Sequence, residues 1–155
     1  LSLDVITAHP RLLLTADQQQ VSWAQTLQAY PEHPKRFDSS RCILSHQGFQ
    51  QGRHFWHVQV TSGEVWALGL AKESLRRKGR VHFQPELGIW ALGRCGEQYQ
   101  ALTSPPSILA GLDHLQVVGI YLDYEEGQVV FWDVKKEVVV FTYSKVIFGG
   151  EKVFP

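Results

Sequence analysis

Apolar residues in this chain recur every second position. In "HFWHVQV", Trp56, Val58 and Val60 share one face of an extended segment, and Phe55, His57 and Gln59 share the other. In "VWALGLA", Trp66, Leu68 and Leu70 oppose Val65, Ala67 and Gly69; in "GIWALG", Trp90 and Leu92 oppose Ile89, Ala91 and Gly93. Trp-Ala-Leu-Gly is thus written twice, but the flanks of the two copies diverge and no third copy follows. The pair predicts two strands meeting one steric demand rather than a repeat array. Each strand offers bulky Trp and Leu to one side and small Ala and Gly to the other, where a neighbouring layer can approach closely.

Turn chemistry divides these runs. "VVGIYLDYEEGQVVFWDV" reads as two strands around Glu125, Glu126 and Gly127, the glycine being free to adopt the positive φ that closes a hairpin. A second turn at Lys135, Lys136 and Glu137 leads into "VVVFTY". "RLLLT" and "QQQVSWA" predict a further hairpin around Ala16 and Asp17. Helical pattern is confined to "AKESLRRK", a turn or two, and to "QQQVSWAQTLQAY", which is compatible with either state. Many short strands with Gly, Pro and Ser between them predict an all-β antiparallel sandwich or barrel.

Composition narrows the function classes. The 155 residues suffice for one domain with its own core, and 44% hydrophobic against 19% charged residues place the chain among globular proteins. Fifteen basic residues balance fifteen acidic ones, so general nucleic-acid tracking is disfavoured, although a local patch stays open. No apolar run reaches membrane-span length, and "LSLDVITAHP" lacks a signal-peptide layout, so no membrane contact is expected of this segment. Cys42 and Cys95 permit at most one disulfide and are read as free thiols of a reducing, cytoplasmic setting.

Catalytic and cofactor signatures are missing. There is no nucleophile elbow, phosphate loop, dinucleotide fingerprint or zinc spacing, so neither a cofactor nor a metal is expected. Only His54 and His57 lie close in sequence, and on a strand they point to opposite faces. The acidic run at Asp123, Glu125 and Glu126 invites a glycosidase reading, but both glutamates fall in a turn and are expected at a solvated hairpin tip. "RRKGR", residues 76–80, is expected as a hydrated loop, with a grip on phosphate or an acidic partner as the alternative.

In chain order, "LDVITAHPRLLLTAD", "RFDSSRCILSHQGFQQGRHFWHVQV", "WALGLAKESLRRKG", "GIWALG", "ALTSPP" and "VVGIYLDYEEGQVVFWDV" resemble a B30.2 (PRY-SPRY) domain over nearly the whole chain. Such domains close many tripartite-motif ubiquitin ligases and the cytoplasmic tails of butyrophilins, and details such as "HPKRFD" and "GGEKVFP" resemble the tripartite-motif branch more. Of three family landmarks, the late Leu-Asp-Tyr-Glu is complete at residues 122–125. Val5 replaces the proline of the early one, and His57 and Gln59 replace both glutamates of the middle one.

The resemblance implies a single domain over residues 1–155: a bent antiparallel sandwich of two sheets, a thin PRY segment over residues 1–50 and the SPRY part from 51 onward. It also implies a further apolar strand after Phe154 and Pro155, without which one sheet edge is left prone to association. It implies no catalytic residue, because ubiquitin transfer in that family resides in a separate RING. The implied role is capture of a protein or peptide target, with oligomerisation through a coiled coil elsewhere in the parent. The loops and strand ends nominated by position are Ser62, Glu64, Ala67, Arg76, Arg77, Gly93, Arg94, Tyr99, Gln100 and Ser104, with Arg and Tyr as the anchor types. Small residues at Gly93 and Cys95, where relatives carry aromatics, imply an open pocket suited to a peptide segment or chain end. Three alternatives remain: a basic pocket for a small phosphorylated ligand built from Arg76, Arg77, Lys78 and Arg94; a sugar-binding or sugar-cleaving sandwich; and RNA binding.

Overall fold

Among the described residues, thirteen strands carry the alternating pattern into a sandwich. The computed structural model describes residues 1–61 and 63–155. The strands are β1 (Leu3–Asp4), β2 (Leu12–Leu14), β3 (Val21–Trp23), β4 (Leu44–Ser45), β5 (Arg53–Gln59), β6 (Val65–Lys72), β7 (Ile89–Cys95), β8 (Gln98–Ala101), β9 (Ser107–Leu109), β10 (Val117–Asp123), β11 (Gln128–Asp133), β12 (Val138–Tyr143) and β13 (Val153–Phe154). One sheet runs β12-β11-β10-β5 and the other β13-β6-β7-β8-β9, every pair antiparallel. Two-stranded pairs, β1-β4 and β2-β3, make up the regular part of the N-terminal segment.

Between the large sheets lies the core. Leu70, Trp90, Leu92 and Tyr99 from one sheet pack with Val118, Ile120, Leu122, Val129 and Phe131 from the other, and Trp56 and Trp66 border this layer half-buried. A fully buried Phe or Leu of this kind contributes about 1.5–3 kcal/mol relative to exposure. The second sheet is apolar on both faces. Behind Ala71, Ile89 and Ala91 lies a smaller core built with Phe37 and Leu44 of the N-terminal segment. The small side of the duplicated Trp-Ala-Leu-Gly is thus where that segment approaches.

Three hairpins follow the expected turns. Gly127 closes β10 to β11 at φ 66°, and Glu137 takes φ 55° between β11 and β12. β2 pairs β3 around residues 15–20. "QQQVSWAQTLQAY" is accordingly a strand and loop rather than a helix, since Leu12 and Leu14 supply Val21 and Trp23 with partners. "AKESLRRK" is not helical either. Its first two residues complete β6 and pair β13, and Arg77 and Lys78 spend their donors on backbone carbonyls of the N-terminal segment. An isolated stretch that short has little helical stability to set against these contacts. The helical turns are instead Val5–Thr7 and Pro85–Leu87, the latter opened by proline and closed by Gly88 at φ 92°.

Candidate functional site

Strand parity decides what the second sheet shows to solvent. Trp66 lies opposite Arg94, which lies opposite Tyr99, and all three belong to the inner face with Leu68 and Leu92. Val65 opposite Cys95, Ala67 opposite Gly93, and Gly93 opposite Gln100 belong to the outer face, which continues from Gln100 to Ile108 on β9. Phe37 and Leu44 cover only the Ala71, Ile89 and Ala91 end. The other end stays open, with Val65 69% and Ile108 65% exposed on either side of a floor of small residues. Gly93 itself is buried: a Cβ there would come within 3.3 Å of the Trp66 carbonyl and 3.4 Å of the Leu102 side chain, so the bare glycine lets Leu102 lie close against the sheet. Cys95 and Gln98 complete the rim, both exposed.

The nominated residues divide between these surfaces. Ala67, Gly93 and Gln100 lie together on the open outer face. Arg94 and Tyr99 lie together on the opposite face: the guanidinium sits 5.4 Å from the ring centroid, and Arg94 Nε donates to the Gly96 carbonyl at 2.7 Å. Tyr99 is 3% exposed, its hydroxyl accepts from Leu115 N at 3.2 Å, and its ring meets Trp66 edge-on at 6.2 Å. It is therefore a core side chain roofed by Arg94. Trp66 Nε1 is shielded from solvent and finds no acceptor among the described residues, a cost of about 1–3 kcal/mol for a buried donor. Glu64 is exposed at the entry to β6, where its carbonyl accepts from Gly96 N. Ser104 is exposed in the loop between β8 and β9, which Thr103 braces through the Pro105 carbonyl and the Ser107 hydroxyl. Ser62 lies outside the described residues.

The basic loop belongs to the other end of the sheet. Arg76 is exposed, but Arg77 is buried: it donates to the Lys35 carbonyl at 2.9 Å and sits over the Phe37 ring, and burial lowers its pKa against the opposing pull of Glu73 and Asp4. Lys78 donates to the His33 and Arg36 carbonyls, and Gly79 N donates to Asp38 at 2.8 Å, the bond that does most to hold that carboxyl below its ordinary range. Arg94, opposite Trp66, lies six residues of β6 away from Lys72, about 20 Å of strand. The four cations proposed for an anion pocket are therefore not brought together, because two are bonded into the junction with the N-terminal segment.

The acidic run is structural in a way its sequence did not reveal. Asp123 is buried, faces Arg53 Nε at 3.3 Å and accepts from Glu126 N. Glu125, exposed as expected, accepts from Gly52 N with both oxygens, at 3.0 and 2.9 Å, and the Tyr124 hydroxyl donates to the Glu151 carbonyl. His54 stacks on Phe49, while His57 turns to the other face against Trp132. Among the described residues no three His, Cys, Asp or Glu side chains gather as a metal site, and no helix is long and apolar enough to cross a membrane. Among the described residues the outer face carries no reactive group apart from the Cys95 thiol.

Val65, Cys95 and Gln98 lie within the turns nominated from sequence, residues 61–65 and 93–99, whereas Ile108 lies outside every nominated segment. Parity placed Val65 beside Ala67, but only the register with β8 and β9 brings all four onto one patch.

Comparison with known proteins gives a consistent result. Residues 1–49 match the PRY family (SPRY-associated domain) and residues 53–155 match the SPRY domain family. The chain is 41% identical over 148 residues to the E3 ubiquitin-protein ligase TRIM58 of Homo sapiens, covering 95% of this chain and 30% of that protein. It is 40% identical over 146 residues to butyrophilin subfamily 2 member A2 of Homo sapiens, covering 94% and 28%. It thus spans under a third of these relatives. Among solved structures, the TRIM65 PSpry domain superposes with a TM-score of 0.84 at 22% identity, over 99% of this chain and 81% of that one. Stonustoxin superposes with a TM-score of 0.84 at 24% identity, over 100% and 26%. At those identities the superpositions establish the fold alone.

Proposed function

The chain belongs to the PRY-SPRY (B30.2) family, and from that premise we propose that it is the target-capturing part of a tripartite-motif ubiquitin ligase, gripping a protein segment on the open outer face of the second sheet. The observation that carries this reading is the exposed apolar pair Val65 and Ile108 on one face of the sheet with exposed Ala67 between them. Apolar side chains of a bound segment bury against these residues, while Gln98, Gln100 and Glu64 offer polar contacts at the rim. The strands hold the floor rigid, so binding costs little ordering on this side. The domain supplies recognition, and transfer chemistry is contributed elsewhere in the parent; coiled-coil pairing of parents raises avidity through effective concentration. The free thiols of Cys42 and Cys95 suit a reducing cytoplasmic setting. An anionic-metabolite site of the butyrophilin kind finds less support, since Arg77 and Lys78 are engaged with backbone carbonyls.

The test is affinity capture from lysate with quantitative mass spectrometry, comparing the unmodified domain with an Ile108→Asp, Gln100→Arg double variant and with Arg76→Ala. Partners that disappear with the double variant and persist with Arg76→Ala support the reading. A double variant with an unchanged β spectrum that retains every partner removes this face from consideration.

A further inference from the structure

The solvent face of the four-stranded sheet carries a second surface, built wholly on β5, β10, β11 and β12. Strand register sets its residues in two rows. His57, Gly119, Trp132 and Val139 form one, and Phe55, Tyr121, Val130 and Thr142 form the next. Neither row holds an Asp, Glu, Lys or Arg. Phe55 is 71% and Val139 61% exposed, and Tyr121, Val130 and Trp132 belong to neither core.

Trp132 owes its posture to Gly119. A Cβ at Gly119 would land inside the indole, against Cε2, Cζ2 and Cδ2, the first and last of which are the ring-fusion atoms. The ring therefore lies with one face pressed to the bare backbone and the other towards solvent. The His57 ring stands beside it, 5.5 Å away between centroids and 81° from its plane, so floor and wall meet in a corner. Tyr121 follows two residues along β10, about 7 Å from Gly119. Donors converge on the same surface. Among the described residues, Trp132 Nε1, the Tyr121 hydroxyl, the His57 ring and the Gln59 amide have no hydrogen-bond partner, and none of them is shut off from solvent. Where the family landmark sets two glutamates, which only accept, His57 and Gln59 offer N–H groups.

We propose that this face binds a proline-rich segment of a partner chain in the polyproline II conformation, with a pyrrolidine ring seated in the corner between Trp132 and His57. Charge complementarity selects that occupant. A run of prolines presents backbone carbonyls and no N–H, and the free groups of this face donate. Without a formal charge in either row, a strongly charged segment would lose hydration and gain no counter-ion. Geometry agrees. The three-fold helix rises about 3.1 Å per residue, so rings two residues apart lie about 6 Å apart, close to the step from Gly119 to Tyr121. β10 and β11 are each paired on both sides, so they offer no backbone groups to an added strand. Two rows across four strands cover roughly 200 Å², a quarter of the about 800 Å² that each partner buries in a standard interface. That is too little for a second copy of this domain and enough for a short peptide. Being extended beforehand, the segment loses little freedom on docking, and the aromatic faces supply its contact area. No residue is shared with the patch around Val65 and Ile108, so either surface can fail without the other.

The probe is acetylated, amidated nonaproline, titrated into the isotope-labelled domain and followed by nuclear magnetic resonance. Saturable shifts of the Trp132 indole N–H and of the Gly119 and Tyr121 amides are expected, and a glycine–serine peptide of equal length causes none. His57→Glu combined with Gln59→Glu restores the family landmark, so the fold is kept while two donors become acceptors; binding weakens about tenfold or more. Trp132→Phe keeps a ring on Gly119 but loses the indole N–H, and binding weakens about fivefold. If either variant fails to fold, the shift map of the unmodified domain decides. Absence of saturable shifts, shifts confined to other strands, or undiminished affinity in the folded double variant each overturns the proposal. Shifts that grow with protein concentration without peptide overturn it in favour of a second copy, and saturation by cellohexaose but not nonaproline in favour of a sugar.

Discussion

His9 shows how one buried side chain couples the fold to pH. It is 8% exposed, and its Nδ1 accepts from Arg11 N at 2.9 Å, so protonation at that nitrogen breaks a bond as well as charging a shielded ring. Burial first, then Arg41 and Arg11, push its pKa below the ordinary 6.5, with Asp38 partly opposing. The folded state therefore resists a proton that the unfolded chain takes up near 6.5. The contribution is complete above that pH and is lost as pH falls from there towards the depressed folded value. The thermal midpoint is expected to drop between about pH 7 and pH 5, and His9→Gln, whose amide oxygen can still accept from Arg11, to flatten that drop. A calorimetric pH series on both proteins checks it. None of this is visible in the sequence, where His9 is one of seven scattered histidines. Arg77 is similar: its residue type suggested an interface anchor, while its partners, the Lys35 carbonyl and the Phe37 ring, lie about forty residues upstream.

Among elements, the β10 to β11 hairpin binds more of the molecule than a solvated tip would. Glu125 holds Gly52 at the start of β5, Asp123 faces Arg53, and Tyr124 reaches the loop before β13, so Asp123 to Glu125 tie the hairpin to two other parts of the chain. Glu125→Ala is expected to cost about 1–2 kcal/mol, the range of an exposed charge-assisted bond, while Glu126→Ala, which loses no side-chain bond, stays near neutral. Urea titration of both variants separates these outcomes. Alternation revealed the faces of β5, β6 and β7, and Gly127 revealed the turn, because both are properties of adjacent residues. Which strands become neighbours is a property of the whole sheet. Arg94 and Tyr99 were grouped with Ala67 and Gly93 by loop position, although alternation along β7 already turns Arg94 away from Gly93 and register then sets Tyr99 beside Arg94.

For the whole molecule, the N-terminal segment and the sandwich share a core and are expected to unfold together. Phe37 is 1% exposed against Ala71, Ile89 and Ala91, so Phe37→Ala is expected to lower stability by about 3–5 kcal/mol and to shift the tryptophan-fluorescence and circular-dichroism transitions equally. Separate midpoints would show two units. The small side of the duplicated strands made a close neighbour legible, and the family resemblance supplied the segment that comes there. That half the sheet stays bare could not be read in advance, since it depends on how far Phe37 and Leu44 reach. The bare half holds Cys95, in the open, whereas Cys42 is half-buried and desolvation pushes its thiol up to about 11. A maleimide added at neutral pH should consequently modify one sulfur per chain, and any molecule seated on the sheet should shield it. The fold thus carries its own occupancy gauge, needing no engineered label.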